Sequence, residues 1–296
     1  RIINETVHYE NEDSDYYNTV IEMALEKVSE FPIRYDAVLV DEGQDFSDDM
    51  YKVLVALLNK KTDSFTIALD DNQNIYRNRQ SWKELGIKAQ GRVHRMHQVY
   101  RNTKEIQECA RRLTGHVQPE TKTHDKLFPN FFDFHGPPPV FKKCETMQNA
   151  ISFVGSTIQS LTEKEYALSE IAVIYTVKSR KDADDFHLPR ELERQLQSKG
   201  IMSTWVSEDY RSKRSYDVTT NSVTISTIHS VKGFDYTCVF LIGLDMLEPG
   251  EIWSEEQLTN LTYVAITRAR YRLYVPYIAE NRLVKKLLKA ATARPA

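Results

Sequence analysis

Two acidic side chains directly follow a short apolar segment, at a position suited to phosphate chemistry. Residues 37–40 read Ala-Val-Leu-Val, and Asp41 and Glu42 come next. If the segment is a parallel strand buried on both faces, its carboxyl end is where open α/β sheets bind ligands. One carboxylate there can hold Mg²⁺ against phosphate oxygens, and the other can deprotonate the attacking water. Asp and Glu also favour helix N-termini, so this segment alone leaves both interpretations open.

The spacing of apolar residues predicts the elements that position these carboxylates. The pattern indicates a helix at 15–30, a strand at 37–40, a helix at 48–58 and a strand at 65–69. A strand–helix–strand order at this spacing is typical of a parallel sheet. A third strand is predicted around residues 92–100 and a helix at 103–113, before the pattern breaks at residues 114–139.

The second half of the chain continues the alternation of strands and helices. Strands are predicted at 140–143, 171–175, 203–206, 223–227, 238–242 and 272–275, and helices at 147–161, 188–199 and 255–267. We therefore predict an α/β fold with two parallel-sheet domains. Residues 1–92 belong to the first domain and residues 93–296 to the second, which has a short insertion at 114–139.

Composition narrows the class of protein. The 39 Lys and Arg residues and 42 Asp and Glu residues give a net charge of −3, so any nucleic-acid contact must come from a local patch. Cys109, Cys144 and Cys238 have no CxxC spacing, which argues against a zinc site and a disulfide scaffold. No apolar run reaches the roughly 18 residues of a membrane span, so we predict a cytoplasmic protein without a membrane partner. The first residue is Arg1 rather than Met, which predicts a start inside a longer product.

Six segments, in order along the chain, resemble motifs II to VI of the UvrD/Rep-type superfamily 1 DNA helicases. Motif IV departs slightly from the Asn-Tyr-Arg-Ser that is usual in the family. The resemblance covers nearly the whole chain and implies two RecA-like domains of the P-loop NTPase type, the first of them incomplete. The segments are Asp41-Glu42-Gly43-Gln44-Asp45 (motif II), Asp70-Asp71-Asn72-Gln73-Asn74-Ile75-Tyr76 (motif III), Gln98-Val99-Tyr100-Arg101-Asn102-Thr103 (motif IV), residues 171–175 (motif IVa), residues 224–235, which end in His229-Ser230-Val231-Lys232-Gly233-Phe234-Asp235 (motif V), and residues 261–270 (motif VI).

The resemblance implies roles in ATP binding and hydrolysis for seven of these residues. Two arginines, Arg101 and Arg268, would reach the γ-phosphate from the second domain, since a guanidinium pairs bidentately with phosphate and stays charged. Such charge stabilises the transition state only when the cleft between the domains is closed. The other implied roles are Mg²⁺ binding for Asp41, general base for Glu42, γ-phosphate sensing for Gln73, base stacking for Tyr100, and a ribose contact for Asp235, where the family has Glu.

The resemblance also implies a path for single-stranded DNA along motifs III and V. Single strands are held through phosphate contacts and through stacking on aromatic rings. Asn78 stands three positions after Ile75, where relatives usually carry an aromatic residue, and Trp82 is out of register. We therefore expect a weaker or different grip on the bases. The implied contacts are Tyr76, Arg79, Thr227 and His229.

Taken one at a time, several of these residues have simpler interpretations. A Tyr-Arg pair such as residues 100–101 is usually exposed. The alternating Arg268, Arg270 and Arg272 are typical of a solvated face. His229 alone is more often a structural residue than a nucleic-acid contact. The ordered set of motifs favours the functional interpretations, most strongly for Arg101 and Arg268.

The sequence contains no GxxxxGK[ST] loop, which in this family surrounds the phosphates of ATP. We therefore expect a fragment: the loop would lie in a missing N-terminal segment of the same polypeptide, and this chain alone would be inactive. The parent protein would use ATP and Mg²⁺ to move along, or unwind, single-stranded or partly duplex DNA. Residues 207–221 stand where relatives insert a large domain, a compact form that resembles motors joined to a nuclease module. The alternative is a non-hydrolysing nucleic-acid-binding or regulatory module on a helicase scaffold.

Overall fold

The computed structural model describes residues 14–69, 81–94, 101–115, 134–176, 186–206, 220–231, 233–250 and 253–292. The chain divides into two compact units, Arg1–Met96 and His97–Ala296. Both units combine helices with a sheet, and the paired strands of the described residues all run parallel. The predicted α/β fold class is therefore confirmed.

The first unit contains a two-stranded sheet with helices packed beside it. Ser47 begins the second helix, since its Oγ accepts a hydrogen bond from the backbone N of Met50. In the sheet, Val40 lies opposite Ile67. The elements are α1 (Ser14–Lys27), β1 (Ala37–Val40), α2 (Asp48–Leu57) and β2 (Ser64–Ile67). α1 packs against α2, and Val28, directly after α1, is buried with Val53 and Leu57 of α2.

One prediction for β1 is wrong, because the strand is not buried on both faces. Val40 is buried against Tyr51 of α2 and Leu85. Leu39 points to the other face of the sheet, as alternate residues of a strand do, and it is 78% exposed. None of the described residues covers that face. An apolar run such as 37–40 thus predicted the strand correctly but overestimated its burial.

The second unit is built on a six-stranded parallel sheet in the order β3-β8-β7-β4-β6-β5. All five residues of β4 are buried, and in the adjoining strands Phe240 stacks on Tyr274 with ring centroids 4.7 Å apart. Such burial contributes about 1.5–3 kcal/mol for each large apolar side chain. The strands are β3 (Val140–Lys143), β4 (Ile171–Tyr175), β5 (Ser203–Trp205), β6 (Val223–Thr227), β7 (Tyr236–Ile242) and β8 (Ala269–Tyr277), and the helices are α3 (Lys104–Thr114), α4 (Met147–Thr162), α5 (Leu188–Ser198), α6 (Glu255–Ile266) and α7 (Arg282–Thr292).

Several boundaries differ from the sequence prediction. β8 runs from Ala269 to Tyr277, beyond the predicted 272–275 at both ends, and it includes Pro276, which has no N–H to donate to a ladder. The final helix α7 was not predicted, yet Leu283, Val284, Leu287 and Ala290 are buried at helical spacing. Residues 92–94 are not in a strand, and residues 95–100 lie outside the described part of the chain.

The side chains of the three cysteines are all buried, free thiols. Burial raises the pKa of Cys109 and of Cys238 to about 12, so both remain protonated near neutral pH. Each therefore acts as a small packing residue. Separately, none of the helices that the structure describes is long and apolar enough to cross a membrane.

The sheet of the second unit has two edges that matter for the site. In a parallel sheet all carboxyl ends lie at one edge and all amino ends at the other. β6 ends at Thr227 and β7 begins at Tyr236, so the eight residues 228–235 connect the carboxyl edge to the amino edge. β4 lies between these two strands. This connection is shorter than the dozen or so residues that most parallel crossovers need.

Candidate active site

In the first unit, the acidic turn after β1 holds Asp41 and Glu42. Glu42 adopts a left-handed backbone conformation, with φ 51° and ψ 39°. Its side chain accepts a hydrogen bond from Gln44 Nε2 at 2.5 Å, and its backbone N donates to Asp41 Oδ1 at 2.9 Å. A left-handed non-glycine residue costs about 1 kcal/mol, and such strain persists only where the surrounding structure fixes it. The turn therefore has one defined backbone conformation, which holds the carboxylates of Asp41 and Glu42.

Gly43 explains why the turn is fixed. Its N donates to the carbonyl of Ala68 just after β2 at 2.8 Å, and its carbonyl accepts from the hydroxyl of Tyr51 at 2.7 Å. A Cβ at this position would lie 2.5 Å from Ile67 Cγ2 and 2.6 Å from the Tyr51 hydroxyl. Only glycine lets the turn approach β2 so closely. Sequence analysis included Gly43 in the acidic motif but did not identify its packing role or that of Tyr51.

In the second unit, an ion-pair cluster at the amino edge of the sheet joins residues from motifs IV, V and VI. Asp235 directly precedes β7, and Arg268 directly precedes β8. Arg101 Nε lies 2.7 Å from Asp235 Oδ2, and Arg268 Nη1 lies 3.8 Å from Asp235 Oδ1. Three residues that are far apart in sequence thus share one charged site.

The two arginines of this cluster differ in accessibility. The Arg268 side chain is only 1% exposed, and it donates from Nε to Val264 O at 3.1 Å and from Nη1 to Phe234 O at 3.4 Å. The Arg101 side chain is 46% exposed. Arg268 is therefore held in one orientation by its surroundings. The simpler interpretation, in which Arg268 belongs to a solvated face, is wrong, whereas the neighbouring Arg270 is exposed.

Opposing effects act on the acid at the centre of the cluster. Burial raises the pKa of Asp235, and this outweighs the nearby Arg101, Arg268 and Arg270, which favour the charged carboxylate. The carboxylate thus carries a desolvation cost that the arginines offset only in part. A ligand phosphate that replaced it as partner of the arginines would meet the same positive charge.

Backbone hydrogen bonds tie the motif IV segment to the motif VI segment. The side-chain amide of Asn102 donates to Thr267 O at 2.9 Å and to Ala269 O at 2.6 Å. The backbone N of Thr103 donates to Arg270 O at 3.0 Å. The sequence placed Asn102 in motif IV and gave it no role. Its contacts join residues more than a hundred positions apart, so no local pattern could have revealed them.

At the opposite, carboxyl edge of the sheet lie the motif V residues predicted to contact nucleic acid. Thr227 ends β6, and its Oγ1 accepts a hydrogen bond from the N of Ser230 at 3.3 Å. His229 is exposed, and its ring centroid lies 5.9 Å from that of the partly exposed Trp253 at a tilt of 33°. Trp253 was missed by the sequence analysis. An aromatic residue directly before Ser254, which caps α6, was the available signal.

Four predicted site residues lie outside the part of the chain that the structure describes, namely Gln73, Tyr76, Arg79 and Tyr100. The predicted site residues that the structure does describe lie in three places. Asp41 and Glu42 share the acidic turn of the first unit, Arg101, Asp235 and Arg268 share the amino edge of the second, and Thr227 and His229 share its carboxyl edge.

Comparison with known proteins finds matches to helicase domains in both units of the chain. Residues 13–93 match the UvrD/REP helicase N-terminal domain, and residues 206–280 match the UvrD-like helicase C-terminal domain. A "Probable DNA helicase II homolog" of Mycoplasma capricolum is 26% identical over 176 residues, which cover 56% of this chain and 22% of the relative. The RecBCD enzyme subunit RecB of Chlamydia pneumoniae is 35% identical over 81 residues, which cover 27% of this chain and 8% of that protein.

Among solved structures, the C-terminal domain of a possible DNA helicase from Lactobacillus plantarum aligns with 66% of this chain and 97% of its own length. That alignment has 14% identity and a TM-score of 0.44. The chain spans about a fifth or less of the length of the curated relatives that it matches. Both helicase domain types are matched in order, the first match containing the acidic turn and the second containing Asp235 and Arg268, so this chain belongs to the UvrD/Rep-type superfamily 1 helicases.

Proposed function

We propose that this chain is the part of an ATP-dependent superfamily 1 DNA helicase that carries motifs II to VI. The parent protein couples ATP hydrolysis between two RecA-like domains to movement along single-stranded DNA. The observation that supports this most is the cluster of Arg101, Asp235 and Arg268. Motifs IV, V and VI contribute one residue each, and two of the three are arginines suited to a triphosphate.

The acidic turn of the first unit fits Mg²⁺ and a general base. Asp41 is an exposed carboxylate at the carboxyl end of a parallel strand, the oxygen ligand that Mg²⁺ prefers. When bound, Mg²⁺ would neutralise charge on the phosphates. Glu42 is held by Gln44 in its left-handed conformation, from which its carboxylate orients a water and accepts its proton. The strained backbone supports a functional interpretation of this residue.

The arginines of the second unit have complementary properties for phosphoryl transfer. Arg268 is held by two carbonyls and by Asp235, so its guanidinium needs little reorganisation to meet developing negative charge. Arg101 is more exposed and can exchange Asp235 for a phosphate oxygen. Asp235 is then released to accept a hydrogen bond from the ribose, the role that the motif V resemblance implies.

DNA is proposed to contact the carboxyl edge of the second unit. Thr227 and His229 supply the polar contacts there, and the indole of Trp253 beside His229 adds an aromatic face for a base. The resemblance also implies DNA contacts for Tyr76 and Arg79 of motif III, which lie outside the described residues. ATP and DNA thus use opposite edges of one sheet.

The remaining parts of the proposal concern the parent protein. Its phosphate-binding loop belongs to another segment of the same polypeptide, so the 296-residue chain alone is expected to be inactive. A nuclease module is a further proposed partner, supported by the short segment at residues 207–221 and by the match to a RecBCD subunit. ATP, Mg²⁺ and DNA are the expected ligands of the whole protein.

The test uses the full-length parent protein and measures ATP turnover with and without single-stranded DNA. Glu42→Gln keeps the shape of the side chain and removes the base, so turnover should fall by roughly 10²-fold or more. Glu22→Gln, at an exposed position of α1, is the matched control and should retain wild-type turnover. A full-length protein without DNA-stimulated turnover would favour the non-hydrolysing scaffold instead.

A further inference from the structure

Asn102 occupies an unusual position between the two arginine segments. Its side chain is buried, with 3% exposure, and the two hydrogens of its amide go to Thr267 O and Ala269 O. These carbonyls belong to the residues immediately before and after Arg268. Asn102 itself immediately follows Arg101. One carboxamide therefore spans the backbone on both sides of one arginine while it is covalently attached to the other.

Two further hydrogen bonds hold the backbone at Asn102 and Thr103. The N of Thr103 donates to Arg270 O at 3.0 Å, which adds a third bond between the same two segments. From α3, Gln107 Nε2 donates to the backbone carbonyl of Asn102 at 2.9 Å. The start of α3 thus fixes Asn102, and Asn102 fixes the backbone around Arg268.

We propose that Asn102 is a positioning residue that holds Arg101 and Arg268 as one unit, so that both guanidinium groups engage the same triphosphate together. This inference rests on the proposed function, because it concerns how that site acts on phosphate. The buried Arg268 side chain takes its direction from its backbone, which the Asn102 amide fixes. The more exposed Arg101 depends on its own backbone, which adjoins the same anchor.

The chain offers a matched control for this arrangement in Asn281. Its Nδ2 also donates to two backbone carbonyls, Leu244 O at 3.3 Å and Leu247 O at 2.7 Å. Its Oδ1 accepts from Val284 N at 2.9 Å at the start of α7. Replacing either asparagine with aspartate removes two donors of the same kind and preserves side-chain shape. Only Asn102 adjoins the arginines.

The experiment compares Asn102→Asp with Asn281→Asp in the full-length protein and measures kcat, KM for ATP and the folded fraction. Per folded molecule, Asn102→Asp should lower kcat by roughly 10- to 100-fold, as expected when a charged group is misplaced by about 1 Å, with a smaller change in KM. Asn281→Asp should leave kcat per folded molecule unchanged. If Asn102→Asp does not fold, Asn102→Ser, which retains one donor, should show the same kcat-selective loss to a smaller degree.

Each outcome has a separate meaning. If the wild-type protein turns over ATP and the Asn102 variant that folds has the kcat of Asn281→Asp, the positioning role is wrong and the proposed function stands. If the wild-type protein has no DNA-stimulated turnover, the proposed function itself fails. A purely structural role for Asn102 would lower the folded fraction and leave kcat per folded molecule intact.

Discussion

Asp235 Oδ2 lies 2.7 Å from Nε of Arg101, so the residue expected to contact ribose is paired with a residue expected to contact phosphate. The same carboxylate faces the buried Arg268 at 3.8 Å. In this arrangement Asp235 balances one of the two positive charges before any phosphate arrives, and the pair keeps a net charge of its own to attract phosphate. Burial also raises the pKa of this carboxylate, so its protonation makes the stability of the folded state depend on pH.

The first prediction concerns the pH dependence of stability at Asp235. Its pKa is raised from the ordinary 3.8 by burial, so the folded chain binds this proton more tightly than the unfolded chain. This contribution to stability is fully present below the unfolded pKa and is lost as the pH rises through the folded pKa. Asp235→Asn cannot titrate and should lack this loss. Denaturant unfolding of both proteins from about pH 3 to about pH 7 measures the difference.

The difference in unfolding free energy between wild type and Asp235→Asn should change as the pH rises above 3.8 and level off once the pH is above the raised pKa of folded Asp235. Glu163→Gln, at an exposed position beside α4, is the control. A difference that is flat across the whole range would show that burial does not perturb Asp235.

The second prediction separates binding from catalysis at Arg268. In the full-length protein, Arg268→Ala should lower kcat by on the order of 10³-fold, since arginines that meet transferring phosphate supply rate of that size. KM for ATP should change far less, because the contact strengthens in the transition state. Arg268→Lys keeps the charge but loses the planar fork and should also be slow.

Because Arg268 is buried, its removal leaves a cavity and takes one of two cations from Asp235, which keeps Arg101 at 2.7 Å, so some loss of stability is expected. The folded fraction must therefore be measured beside the kinetics. Arg190→Ala, at an exposed position of α5, controls for the loss of a positive charge. Near-normal kcat in folded Arg268→Ala would contradict the proposed role.

The third prediction tests the aromatic pair at the carboxyl edge. Trp253→Ala should weaken binding of single-stranded DNA by about 1–3 kcal/mol, the usual contribution of a ring that stacks on a base. Trp253→Phe should recover most of that affinity. Fluorescence anisotropy with a labelled oligonucleotide at fixed salt measures the effect. The control is Phe134→Ala, which removes another exposed ring of the second unit, and equal loss in both variants would argue against a local site.

The fourth prediction concerns the close approach at Gly43. Gly43→Ala would place a methyl group 2.5 Å from Ile67 Cγ2, so the turn must move away from β2. We expect a loss of about 1–3 kcal/mol in unfolding free energy, as for overpacked cores, and a loss of ATP turnover in the full-length protein. Gly250→Ala, where a Cβ meets open space, is the control. Normal stability of Gly43→Ala would contradict the close packing of this turn against β2.

The sequence predicted most of the fold because buried parallel strands have a strong local signal. The apolar runs at β4 and β7 correspond to strands that are almost wholly buried. The same signal failed for Leu39, since an apolar run does not reveal whether another layer covers it. The predicted elements also omit α7, where lysines separate short groups of apolar residues and no long apolar run occurs.

The candidate site was predictable in its residues but not in its contacts. Arg101, Asp235 and Arg268 were identified through resemblance to a motif set, and spacing alone would not have joined them. The ion pairs and the Asn102 amide bonds depend on how strands β7 and β8 meet α3. Trp253 and Tyr51 act through ring and hydroxyl contacts that have no fixed sequence separation.

The eight residues 228–235 join the end of β6 to the start of β7, so their number limits the distance between these two strand ends. They bridge a sheet whose strand β6 is about 16 Å long, and eight fully extended residues reach at most about 28 Å. His229 stands near one end of this tether and Asp235 at the other. Adding or removing a single residue between them would therefore shift the alignment of the two edges while every contacting side chain stayed the same. The length of this connection, together with its side chains, therefore determines how a displacement at the carboxyl edge is transmitted to the amino edge.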